Sequence, residues 1–187
     1  MNERKPIPNC IQYSMDELQK IVSTAKYDKM DNSYDGEPVY KILKNEALPG
    51  EVFREYPKNI NITLDDKYYK SFLERKTYTI EVSNLGRIRV NGEVKKQFQK
   101  DEYGDLYASI NDDWDYKVYR FVAETWCECP VDDTSADDQK WFVHHITDNG
   151  FDNRPSNLIW VTLSEHGRIG SGPSSRKEEW KKICSDN

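Results

Sequence analysis

Residues 141–170 read WFVHHITDNGFDNRPSNLIWVTLSEHGRIG, and they hold His144, His145 and His166, which are all the histidines of a 187-residue chain. Such confinement points to a shared task. Imidazole titrates near neutrality and ligates transition metals, so proton transfer and metal binding are the natural candidates. Trp141, Phe142 and Val143 suit a strand, residues 147–155 are dense in Asp, Asn, Gly and Pro and suit a long hairpin loop, and residues 158–161 suit the returning strand. Thr162-Leu-Ser-Glu165 is a capping box, so a helix should follow, with His166 in its first turn. Free N–H groups and the positive dipole end there also favour a phosphate. The expected unit is strand, loop, strand, helix. Neighbours on a regular strand point to opposite faces, so His144 and His145 can share one face only if the strand ends or bulges between them. We expect such a distortion at the entry to the loop.

The spacing carries a family pattern. Counting from His145, Asn157 lies twelve residues on and His166 twenty-one on, with Asn153, Arg154, Leu158, Trp160, Val161, Thr162 and Glu165 between them. This resembles the HNH endonucleases, most closely the phage and intron-associated branch, whose core often reads VNHIDGNKTNNRxENLEWVTxxEN. The match runs from Val143 to His166 without an insertion. It departs from that branch at His144, usually Asp or Asn, at Thr147, usually Asp, and at His166, often Asn. The paired and third histidines look more like the colicin-type nucleases of the same ββα-metal fold. The resemblance implies that His145 is the general base that takes a proton from the attacking water, and that His144 and His166 hold one divalent metal. Asn157 would fix the loop and orient His145 through a backbone hydrogen bond. An imidazole with an ordinary pKa of about 6.5 is already largely neutral at pH 7 and can accept that proton. Mg²⁺ is the expected metal in turnover, while two imidazole ligands favour binding of Mn²⁺, Ni²⁺, Co²⁺ or Zn²⁺.

A second pattern lies upstream. In TYTIEVSNLGRIRVNGEVKK, from Thr77 to Lys96, Tyr78, Ile80 and Val82 alternate with polar residues, Asn84-Leu-Gly86 can turn, and Asn91-Gly92 is a strong hairpin signal. Arg87 and Arg89 would share one strand face, with Ile88 and Val90 on the other. The words EVSNLGRIR resemble YEVSNLGRVRS, which precedes the HNH core in many phage and homing endonucleases and is associated with DNA binding. On that resemblance Arg87, Arg89, Lys95 and Lys96 are expected to contact DNA; the competing reading is that the motif merely builds a small sheet. VYRFVAETW, residues 118–126, resembles the family's VHRLVAEAF linker helix, with Tyr119 in place of its histidine and Arg120 retained. Arg120 and Arg154 are further expected DNA contacts.

Composition frames these motifs. Hydrophobic residues make up 36% and charged residues 32% of the chain. No apolar run approaches the roughly 20 residues of a membrane span, and the N-terminus lacks the apolar core of a signal peptide, so no membrane partner and a cytoplasmic setting are expected. Cys10, Cys127, Cys129 and Cys184 include no second pair at zinc-ribbon spacing and read as ordinary reduced thiols. The net charge of −6 is unusual for a nucleic-acid enzyme, but it is unevenly spread. Residues 75–100 carry seven basic residues against two acidic ones, whereas residues 101–150 carry thirteen acidic against three basic. The run from Asp132 to Asp138 reads as solvated surface.

The remaining segments say less about chemistry. Ser14-Met-Asp-Glu17 is a capping box, and Leu18, Ile21, Val22 and Ala25 follow at helical spacing, an apolar stripe of the kind that joins a core. Residues 39–43 are ambiguous between strand and helix. Residues 64–73 read as a helix, residues 101–110 and 116–120 as strands, and residues 174–184 as a last helix. The expected fold is α+β: residues 1–74 form a mixed N-terminal segment, 75–100 a small β-rich DNA-binding motif, 101–172 an HNH nuclease core of the ββα-metal type, and 173–187 a tail. The expected function is metal-dependent hydrolysis of DNA phosphodiester bonds. Two alternatives stand beside it: a catalytically silent module that occupies DNA or a protein, and an RNase using the same site.

Overall fold

A computed structural model describes residues 14–25, 32–57, 78–100, 104–111, 114–127 and 141–169. The predicted helices over 64–73 and 174–184 and the acidic run 132–138 lie outside these residues, as do Cys10, Cys129 and Cys184. The elements in chain order are α1 (Met15–Ala25), β1 (Ser33–Tyr34), β2 (Glu37–Pro38), a 3₁₀ turn (Val39–Lys41), β3 (Phe53–Glu55), β4 (Ile80–Ser83), β5 (Ile88–Val90), β6 (Glu93–Val94), β7 (Gln97–Gln99), β8 (Leu106–Asn111), β9 (Trp114–Lys117), α2 (Val118–Trp126), β10 (Trp141–His145), a second 3₁₀ turn (Pro155–Asn157), β11 (Leu158–Thr162) and α3 (Leu163–Arg168). All strand pairs are antiparallel, in the orders β1-β2, β3-β4-β5-β6, β7-β8-β9 and β10-β11. The protein is therefore α+β. Among the described residues, no helix is long and apolar enough to cross a membrane.

The four-stranded sheet follows from its turns. Asn91 and Gly92 take φ values of 52° and 83°, the two left-handed values that a two-residue hairpin between β5 and β6 requires. The Asn91 side chain also accepts from the Thr79 amide at 3.0 Å, which holds the start of β4 in register. Upstream, the Ser83 hydroxyl accepts from the amides of Leu85 and Arg87, both at 3.0 Å, and so shapes the turn around Gly86. Asn84 reaches outward: its Oδ1 accepts from Val52 N at 2.8 Å and its Nδ2 donates to Gly50 O at 3.2 Å. These bonds attach residues 50–52 to the turn and bring β3 alongside β4. The expected boundary at residue 74 thus separates β3 from its own sheet, and a boundary at 100 separates β7 from β8 and β9.

One core crosses those boundaries. Ile80, Val82, Ile88 and Val90 of the first sheet, Leu106, Ala108 and Ile110 of the second, Val118, Phe121, Val122 and Ala123 of α2, and Val143, Leu158 and Trp160 of the hairpin pack together. In β8 the buried residues alternate with half-buried ones, the period-2 pattern of a strand with one face inward. Helix α2 lies at the centre and touches β4, β8, β9, β10 and β11. The opposite face of the hairpin has its own cover. Leu18 and Val22 of α1 are buried against Val161 and Ile169, with Phe142 and Ile159 packed beside them. The N-terminal helix, capped as predicted by reciprocal Ser14–Glu17 hydrogen bonds, is thus part of the hairpin's packing.

Candidate active site

The hairpin and its helix form as the sequence predicts. The Thr162 hydroxyl accepts from Glu165 N at 3.3 Å, while the Glu165 carboxylate accepts from Thr162 N at 2.7 Å, so both halves of the capping box are present. Strand β10 pairs with β11 without interruption from Trp141 opposite Thr162 to His145 opposite Leu158. The expected distortion is absent. Five successive pairs keep the ladder regular through His145, and the chain turns only afterwards, where Ile146 N donates to Asn157 O at 2.8 Å.

The two neighbouring histidines consequently point to opposite faces. His144 is buried on the face shared with α3, where its ring meets that of His166 edge to face with centroids 5.4 Å apart. His145 is on the α2 face, its ring 5.3 Å from that of Tyr119, and its Nε2 lies 2.9 Å from the Asn153 Oδ1. Burial holds both His145 and His166 below the ordinary imidazole range; for His145, the Asn153 hydrogen bond opposes that shift in part. Both rings are thereby kept neutral, the form that can accept a proton or ligate a metal.

Asn157 fixes the loop as predicted, with a different immediate partner. Its Oδ1 accepts from Thr147 N at 3.0 Å and its Nδ2 donates to Asp152 O at 2.8 Å, so one buried amide spans the loop. The His145 carbonyl accepts instead from Asp148 N at 2.9 Å.

The metal-ligand pair predicted from sequence is brought together. His144 and His166 supply two imidazoles on one face, and the Asp148 carboxylate lies close by, its Oδ1 3.8 Å from the His144 Nε2. Among the described residues no group of three His, Cys, Asp or Glu side chains is placed to hold a metal ion. Two imidazoles are donors suited to a divalent transition metal, and any further ligands at such a site would be water or phosphate oxygens.

The predicted DNA contacts divide sharply. Arg87 is only 1% exposed and is spent inside the fold: Nε donates to Glu51 Oε1 at 2.8 Å, Nη2 pairs with the other Glu51 oxygen, and the remaining bonds go to the carbonyls of Ile42, Lys44 and Glu46. Burial pushes the Glu51 carboxyl up, but its hydrogen bonds to Arg87, the Leu48 amide and Ser83, together with the Arg87 charge, outweigh this and hold it below its usual range. The expectation that Arg87 meets DNA is corrected. Its strand face does point away from Ile88 and Val90, but residues 42–51 cover it. Arg89 stacks 3.6 Å from the Phe53 ring centroid, donates to the Asn45 carbonyl, and lies 3.7 Å from Glu81. Arg154 makes a two-point contact with buried Asp152 at 2.8 and 2.7 Å. Arg120 lies 3.8 Å from Glu124, and Lys95 lies 3.4 Å from Glu93. Lys96 is exposed.

Sequence reading gave Asn153 no role, although it sits in the matched pattern. It also missed the polar group near His145, where Lys117 Nζ lies 2.8 Å from Asp105 Oδ2 and 5.5 Å from the Tyr119 ring centroid. No signal in the sequence joins residues 105 and 117 to residue 145; pairing of β8 with β9 and the start of α2 bring them there. Compared with protein-family models, curated proteins and solved structures, the chain matches none.

Proposed function

We propose that this chain is a metal-dependent DNA endonuclease with an HNH core of the ββα-metal type, formed by β10, β11 and α3. The observation that carries the proposal is the placement of three histidines on one hairpin–helix unit, His144 with His166 on one face of β10 and His145 on the other. In-line displacement at phosphorus puts the attacking water and the leaving oxygen on opposite sides of the phosphate. This reading requires one phosphate to reach both faces of β10 at its open edge, and β10 pairs on one edge only among the described residues.

His145 takes the proton from the attacking water, and its burial-lowered pKa keeps it ready to do so at neutral pH. Asn157 holds the loop closed behind it. His144 and His166 would hold a divalent metal, which when bound neutralises charge on the phosphate and the leaving oxygen. Lys96, Lys95 and Arg120 remain the cations from which a backbone-contacting surface would be built.

Incubation with supercoiled plasmid and a series of divalent metals, with a chelator control, tests this reading. Metal-dependent conversion to nicked or linear DNA supports it. Metal-dependent DNA binding without any cleavage would instead favour the silent binding module, and cleavage confined to RNA would favour the RNase.

A further inference from the structure

The side chain facing His145 is Asn153, which is 2% exposed and has both ends of its amide engaged. Its Nδ2 donates to the Gly150 carbonyl at 3.2 Å, and its Oδ1 lies 2.9 Å from the His145 Nε2. The Gly150 carbonyl can only accept, so turning the amide over would set two acceptors against each other. Oδ1 therefore faces the imidazole, and Nε2 must carry the proton that fills this contact.

Asn153 is itself held from outside the hairpin. Gly86, at φ 89°, approaches so closely that a Cβ there would lie 3.1 Å from the Asn153 Cβ and 3.3 Å from its carbonyl oxygen. Gln97 Nε2 donates to Gly86 O at 2.6 Å and fixes that turn in place. Gly150 is wedged in the same way, since a Cβ there would come within 2.7 Å of the Gly104 carbonyl oxygen. The upstream NLG turn thus packs on the Cβ and backbone carbonyl of Asn153, and the loop before β8 packs on Gly150, whose carbonyl takes the Nδ2 hydrogen bond.

We propose that Asn153 is a positioning residue that locks His145 in the Nε2–H tautomer and leaves the Nδ1 lone pair as the proton acceptor, with the Gly86 turn as its backstop. The assignment rests on the nuclease reading for its catalytic meaning, but the tautomer can be read without any cleavage. A neutral histidine with both tautomers populated would present the accepting nitrogen only part of the time.

The test is a long-range ¹H–¹⁵N correlation on histidine-labelled protein, without metal, at a pH where the rings are neutral, with His145 assigned by its loss in His145→Gln. The parent chain should show a protonated Nε2 and an unprotonated Nδ1. Asn153→Ala should average the two shifts toward a mixture. In cleavage, Asn153→Ala should lose about 10- to 100-fold in kcat with KM little changed, by analogy with the loss when a hydrogen-bonded partner that orients a metal-bound histidine is removed. A protonated Nδ1 in the parent chain overturns the proposal, even if Asn153→Ala fails to fold. An unaltered tautomer in Asn153→Ala also overturns it. Absence of cleavage by the parent chain, with the tautomer as expected, would count against the nuclease reading alone.

Discussion

His166, from the first turn of α3, meets His144, from the regular part of β10, with 83° between their ring planes and 5.4 Å between their centroids. The pairing depends on the capping box that starts α3 at Thr162, because the start of that helix sets which residues turn back over the strand. Two imidazoles so placed prefer a borderline metal to Mg²⁺. In calorimetry without DNA, Ni²⁺ or Mn²⁺ should bind more tightly than Mg²⁺, and His166→Ala should weaken that binding. Equal affinities for Ni²⁺ and Mg²⁺ would argue against a two-histidine site.

Arg87 and the neighbouring cations should separate cleanly. Removing Arg87 leaves Glu51 buried without its partner, at a cost of about 3–5 kcal/mol in urea unfolding. Replacing Lys95 and Lys96 with Ala should leave stability nearly unchanged, weaken DNA binding, and lower the salt slope by about one for each lost phosphate contact. An unaltered salt slope in the double variant would assign these lysines to plain surface.

Helix α1 gives a test of packing. Leu18, 1% exposed, is buried against Val161 and Ile169, the residues that flank α3. Leu18→Ala should cost about 2–5 kcal/mol, the range for large-to-small changes in a core. A change within experimental error of zero would mean that the N-terminal helix is not docked on the hairpin in solution.

Stability should also respond to pH in a definite direction. Burial lowers the folded-state pKa of His145 and His166, so the unfolded chain binds protons first as pH falls. Their contribution is fully present above the unfolded value of about 6.5 and is lost as pH falls from there through the lower folded values. Urea midpoints measured from pH 7.5 downward should fall below about 6.5, and His166→Gln should flatten the decline. A midpoint that rises over this interval would contradict the buried, neutral assignment.

What the sequence made legible was local. The capping boxes at Ser14 and Thr162 and the Asn91-Gly92 turn each depend on residues within three positions of one another, and all three formed. The His144–His166 pairing followed because one hairpin and one helix turn fix it. The error at His144–His145 came from assuming that a shared task needs a shared face, whereas the ladder stayed regular and put the rings on opposite sides. Arg87 was misread for a different reason. Strand alternation placed it correctly opposite Ile88, but nothing local indicates that residues 42–51 fold back over that face and offer it the Glu51 carboxylate and three carbonyls as acceptors. Asn153 was equally hidden, since its role depends on Gly86, far away in the chain.

The central claim, that one histidine moves the proton and two others hold the metal, is tested most directly by comparing His145→Ala with His166→Ala in plasmid cleavage and in metal binding. His145→Ala should bind metal like the parent chain yet lose about 10²- to 10⁴-fold in cleavage rate, the usual contribution of a positioned base. His166→Ala should lose metal affinity and recover part of its activity in excess metal. Cleavage by His145→Ala at the parental rate, or loss of metal from it as severe as from His166→Ala, would contradict the account.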